Sequence, residues 1–114
     1  MNQPYSHDPA YLSGLKKIEQ QIQQNQLQEA ALGLTKLSRN NTKDPRLFLL
    51  GSLLASASGN ADGTLSAARR ASELAPQWHP ATIYLAGVLA DQGQAEEAVD
   101  TAELALQQAA EGVN

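Results

Sequence analysis

The chain has 114 residues, 42% of them hydrophobic and 4% aromatic, with a net charge of −4 and no cysteine. That length builds one continuous core and no second independent one, and the absence of cysteine excludes disulfides, thiolate nucleophiles and cysteine-held metals. The start, Met1-Asn2-Gln3-Pro4-Tyr5, lacks the basic and apolar regions of a secretory signal, and no apolar run nears the length of a membrane span, so the expectation is a soluble, cytoplasmic protein.

Residues 1–8 read as a polar, flexible lead, with His7 beside Asp8. From there three dipeptides pace the chain, Asp8-Pro9, Asp44-Pro45 and His79-Pro80. Each proline suits the first turn of a helix, where its missing N–H would be unbonded anyway, and Asp8 and Asp44 are good N-caps just before. After Pro9, Leu12, Leu15, Ile18 and Ile22 predict one apolar helix stripe. Asn25-Gln26 makes a turn, and Leu27, Ala30, Ala31, Leu34 and Leu37 make the second stripe. The run Arg39-Asn40-Asn41-Thr42-Lys43 then breaks the pattern.

The second pair places Leu47, Leu50 and Leu54 on its first helix. A turn follows at Ser58-Gly59-Asn60, and Leu65, Ala68, Ala71 and Leu74 precede Pro76. In the third, Leu85 and Leu89 lead to a turn at Gln92-Gly93-Gln94, then Ala95, Ala98, Val99, Ala102, Ala105 and Leu106. Gly59, Gly93 and Asn25 sit where a left-handed residue ends a helix. No stretch alternates apolar and polar residues as a half-buried strand would, so the expected fold is all-α. One domain over 9–110 is expected, in units of about 9–43, 44–78 and 79–110, followed by a short tail at 111–114.

A period in this range marks stacked helix pairs, each unable to bury its apolar face alone. Leu85-Ala86, Leu89, Gly93, Glu97-Ala98-Val99 and Ala105-Leu106 resemble the tetratricopeptide repeat, as do Leu50-Gly51, Leu54, Gly59, Ala71 and Pro76. In that family Gly51, Ala71, Ala98 and Ala105 would occupy the small positions where paired helices touch, and Pro76 the closing one. Thr64 stands where a small Ala is usual, and the first unit has no closing proline. The resemblance implies a right-handed superhelix of three antiparallel hairpins whose concave groove, lined by the first helix of each pair, takes a peptide or helix of a partner protein.

The groove residues then expected are Lys16, Lys17 and Gln20 in the first unit, with Gln23 and Gln24 nearby. The second unit gives Phe48, Leu49, Ser52 and Ser56, and the third Ile83, Tyr84, Gly87 and Asp91. Phe48, Leu49, Ile83 and Tyr84 would form a bulky apolar patch beside small Ser52 and Gly87, which leave room for an inserted side chain. Phe48 and Ile83 packing between adjacent first helices is the structural alternative. Family members that clamp the C-terminal carboxylate of heat-shock chaperones converge Lys, Asn and Arg on successive first helices; here apolar residues hold the later sites, so such a clamp is not expected.

Residues 1–46 carry six Lys and Arg against four acids, and residues 47–114 two Arg against eight acids. The acidic second half lacks the clustered basic face that a phosphate backbone demands, which sets nucleic acid and anionic membranes aside as partners. His7 and His79 lie in different loops and make no metal site. Glu96, Glu97, Asp100 and Glu103 read as a solvated helix face, since no low-dielectric pocket would raise a carboxylate pKa there. No phosphate loop or nucleophile elbow is present. No catalytic residue, cofactor or metal is expected, and Trp78 is expected to wedge between the second and third units.

On the last helix, Val99, Leu104 and Leu106 widen the apolar arc beyond what one buried face requires, where stacked repeats normally end in a polar cap. Either the chain continues into more repeats or another domain, or two copies pair as a homodimer through this helix. The first option is the N-terminal, non-catalytic region of a bacterial methyl-, sulfo- or glycosyltransferase that the resemblance implies. A chaperone for secreted subunits is a third use of such repeats.

Overall fold

Among the described residues six helices follow one another in three hairpins, each opened by the proline signals above. A computed structural model of the chain describes residues 8–39 and 43–112; most of the expected N-terminal lead, His7 included, lies outside them, as do Asn40, Asn41 and Thr42. The helices are α1 (Pro9–Gln23), α2 (Leu27–Ser38), α3 (Pro45–Ala57), α4 (Ala61–Leu74), α5 (His79–Asp91) and α6 (Ala95–Gly112). The last one runs beyond the expected boundary at residue 110 and takes up the start of the tail.

The caps follow the local chemistry. The Asp8 carboxylate accepts from the backbone N–H groups of Ala10 and Tyr11, and Asp44 accepts from Arg46, so each satisfies donors that a helix start leaves open. Within each hairpin the chain reverses through one residue of positive φ, Asn25 at 61°, Gly59 at 78° and Gly93 at 79°. After each, the backbone N–H of Gln26, Asn60 or Gln94 reaches back to the carbonyl five residues earlier, which closes the helix end.

Each helix packs on the next in sequence, and α1 also touches α3. Two core clusters result. Ile18, Ala30 and Leu50 gather Leu15, Ile22, Leu34, Leu37, Leu53 and Leu54 across α1, α2 and α3. Ala68, Leu85, Val88, Leu89 and Ala98 gather Leu65 and Tyr84 across α4, α5 and α6. The body measures 37 × 35 × 20 Å; this flattened form leaves much of every helix at the surface.

Small residues sit at several helix contacts, only some of them at the positions expected from the sequence. Ala71 and Ala105 are buried, and Gly14 and Gly33 let Leu37 and Ile18 come within 3.1 Å of where a Cβ would stand. Gly51 differs, because an added Cβ would meet only Leu34 Cδ2 at 3.8 Å, an ordinary contact. Gly51→Ala should therefore stabilise the protein by about 0.5 to 1 kcal/mol, through the backbone entropy a mid-helix glycine costs. A rise in the urea midpoint at unchanged slope would show it, and a fall would mean that α2 and α3 approach more tightly than this.

Several polar ties hold the elements together across the chain, and none was read from the sequence. Tyr11 replaces Leu12 on the inner face of α1: Leu12, expected in the stripe, is 39% exposed, whereas Tyr11 is buried. The reason is a hydrogen bond, the Tyr11 hydroxyl donating to Asp44 Oδ2 at 2.5 Å. Asp44, with no exposed surface, also accepts from the Arg46 Nε at 3.0 Å and Nη2 at 2.8 Å, while the guanidinium lies 5.4 Å from the centre of the Tyr11 ring. Burial, followed by that bond to Asp44, pushes the Tyr11 phenol well above its ordinary pKa.

The second tie is Gln108, buried on α6. Its amide donates to the Pro76 carbonyl and accepts from the Thr82 hydroxyl at 2.9 Å, which fixes the end of α6 to the α4–α5 link and to α5. Arg69 on α4 adds a two-pronged pair to Glu97 on α6, at 2.5 and 2.9 Å. The guanidinium holds the Glu97 carboxyl below its usual range.

Candidate functional site

A trough runs along the face where α1, α3 and α5 present their outer residues. Its first hollow, about 290 Å³, is lined from α1 by Leu15, Lys16 and Glu19, from α3 by Arg46, Leu49, Leu50 and Leu53, and then by Trp78 and Tyr84. The second, about 470 Å³, continues past Leu53 and Tyr84 to Ser56, Gly87, Val88 and Asp91, with the α3–α4 turn as its far wall. Leu53 and Tyr84 belong to both, so the two hollows are neighbours.

The helical period explains this wall. Leu49, Leu53 and Ser56 lie four and three residues apart on α3, hence on one stripe, and that stripe is displaced from Leu47, Leu50 and Leu54, which face the core. Tyr84 is half-buried against the α4–α5–α6 cluster and reaches back to α3, its hydroxyl 3.0 Å from Ser52 Oγ. Ser52 has one proton, and it goes to the Thr64 carbonyl at 2.7 Å. The Tyr84 O–H is therefore the donor in the pair.

The residues named from the sequence divide into three groups. Lys16, Leu49, Tyr84 and Gly87 line the trough, as do Ser56 and Asp91. Phe48, half-buried, lines neither hollow, nor do the exposed residues Ile83 and Gln20. Ser52 and Lys17 sit elsewhere. Ser52 has no exposed surface and spends its hydroxyl inside the protein, so it leaves no space for an inserted group. Lys17 lines a separate hollow of about 330 Å³ between α1 and α2, with Gly14, Gly33, Leu32 and Lys36.

Leu15, Glu19, Arg46, Leu53 and Trp78 were missed. Leu53 follows Leu49 by one turn and could have been found by extending that stripe. Trp78 could not, because its position depends on the path of the α4–α5 link; it stands at the N-cap position of α5, and its half-buried side chain lines the first hollow.

Among the described residues no three His, Asp or Glu gather as metal ligands, and no helix is long and apolar enough to cross a membrane. Glu96, Asp100 and Glu103 are exposed on α6, and Glu97 is held by Arg69. Val99, Leu104 and Leu106 are also exposed, at 56%, 47% and 72%. No protein-family model matches this chain, and no curated protein matches it.

Proposed function

We propose that this protein is a non-catalytic scaffold, a short superhelix of three tetratricopeptide-like hairpins that binds a helical or extended segment of a partner protein in the trough. The observation that carries the reading is the position of Leu49, Leu53, Trp78 and Tyr84, four large side chains that line one open hollow contributed by three successive first helices. Such a surface buries apolar side chains of a ligand; of the charged residues that line it, Lys16 stands with Glu19 and Arg46 is paired with Asp44. The hairpin turns, the close small positions and the packing of each helix on the next support the repeat reading.

Trp78 is the sole tryptophan and makes the test direct. Peptides selected from a display library against the whole chain should change its fluorescence on binding. Leu49→Ala should raise their Kd about tenfold, the loss of one apolar anchor of about 1.4 kcal/mol, at nearly unchanged stability. Selected peptides that leave Trp78 silent and bind Leu49→Ala as well as wild type would overturn the trough as the binding surface.

A further inference from the structure

The two ends of the molecule are complementary in register and charge. Within the chain, each second helix packs on the first helix of the following pair: Leu34 joins the cluster that contains Leu50, and Leu65 and Ala68 share theirs with Leu85, Val88 and Leu89. Counting 34 residues on from Leu65, Ala68 and Ser72 gives Val99, Ala102 and Leu106 on α6, and all three are exposed. Counting back from Leu85, Val88 and Leu89 through Leu50, Leu53 and Leu54, by the 35- and 36-residue spacing of the prolines, gives Gly14, Lys17 and Ile18 on α1. All three line the 330 Å³ hollow between α1 and α2.

The donor end of the repeated junction is thus exposed, and at the receiver end Lys17 is exposed and Gly14 half-buried, while Ile18 belongs to the core beneath them. The ends also differ from the internal junctions. On α1, Gly14 stands in place of a leucine and Leu37 packs 3.1 Å from where its Cβ would be, so Leu37 and the exposed Leu32 line the hollow beside it; on α6, Leu106 stands in place of a serine and adds apolar bulk. Lys17, Lys36 and Glu29 stand at the hollow, leaving it one positive charge in excess, while Glu96, Asp100 and Glu103 flank the α6 stripe. An α6 to α6 pairing about a two-fold axis would instead bring acid rows together.

We propose that copies of this chain stack head to tail, the Val99, Ala102 and Leu106 stripe of one entering the Gly14 and Gly33 hollow of the next. The interface is heterologous and does not close on itself, so it builds a growing stack. It leaves the trough free, and the trough and stacking proposals stand or fall separately.

Sedimentation equilibrium of the whole chain tests it. The average mass should climb steadily with concentration, and added salt should weaken the association. Leu106→Glu and Lys17→Glu, both at exposed sites and checked for native helicity, should each weaken association about tenfold or more, the first because a carboxylate replaces the apolar side chain that enters the hollow, the second because it sets an acid against the acids of α6. Mixed together, the two variants should recover wild-type affinity and stop at a heterodimer, because Leu106→Glu keeps its hollow and Lys17→Glu keeps its stripe. A wild type that stays monomeric to about 1 mM, the weak limit of specific association, would overturn the proposal. So would a closed dimer indifferent to Lys17→Glu, or a mixture in which no heterodimer forms.

Discussion

Leu89→Ala should cost about 3 kcal/mol, within the 2 to 5 kcal/mol that truncating a buried leucine to alanine costs. Leu89 has no exposed surface and sits among Ala68, Leu85, Val88 and Ala98, so the removed atoms leave a void bounded by three helices. Two of those neighbours are already alanines, with no side-chain freedom to fill the space. Against a total of about 5 to 15 kcal/mol for an ordinary domain, the loss should appear as a large fall in the urea midpoint at constant slope. Leu89→Met, which keeps the volume, should cost less than about 1.5 kcal/mol. A loss below 1 kcal/mol for the alanine variant would mean that the second and third hairpins do not meet as described.

Asp44→Ala should be nearly as damaging, at about 3 kcal/mol. The carboxylate is fully buried and serves three partners: it caps α3, accepts the Tyr11 hydroxyl, and neutralises the Arg46 guanidinium. Truncation strands a phenol and a cation as well as removing the cap. Asp44→Asn keeps the cap oxygen and loses only the charge, so it should fall between the two. The wild type carries an alkaline signature of the same network. Burial and Asp44 raise the Tyr11 pKa above the ordinary value near 10, so its contribution is whole below pH 10 and is lost as pH climbs from there toward the folded-state value. Tyr11→Phe should be less stable at neutral pH and should lack that part of the alkaline decline, in pH-dependent denaturation. An unchanged alkaline slope would show that Tyr11 is not held neutral by this site.

Local signals in the sequence located the helices because each is settled by near neighbours. Asp8 and Asp44 cap within three residues, the prolines set the first turns, and Asn25, Gly59 and Gly93 adopt the left-handed conformation that ends the helices before them. The stripes on α3, α4 and α5 followed from the helical period for the same reason. The ties between hairpins were out of reach. Tyr11 takes the place expected of Leu12 only because Asp44, 33 residues away, offers an acceptor, and Gln108 is buried only because the Pro76 carbonyl and Thr82 hydroxyl meet there. A polar residue's burial depends on a distant partner, and periodicity carries no information about that.

The groove was half legible for a related reason. Leu49, Tyr84 and Gly87 could be placed from the register of their helices, whereas Phe48, Ile83 and Ser52 lie one step around the helix and point elsewhere. A turn of 100° per residue is enough to move a side chain from wall to core, and the choice between adjacent residues belongs to the packing of whole helices.

The bond between Tyr84 and Ser52 bears on how readily a ligand could be held. An aromatic ring on an open surface ordinarily samples several rotamers, and capturing one of them subtracts from affinity, by about 0.5 to 1.5 kcal/mol for a mobile side chain. Here the phenol is tethered to a serine that is itself anchored to the Thr64 carbonyl. That loss of freedom is settled when the chain folds, so an incoming segment would find the ring waiting in place.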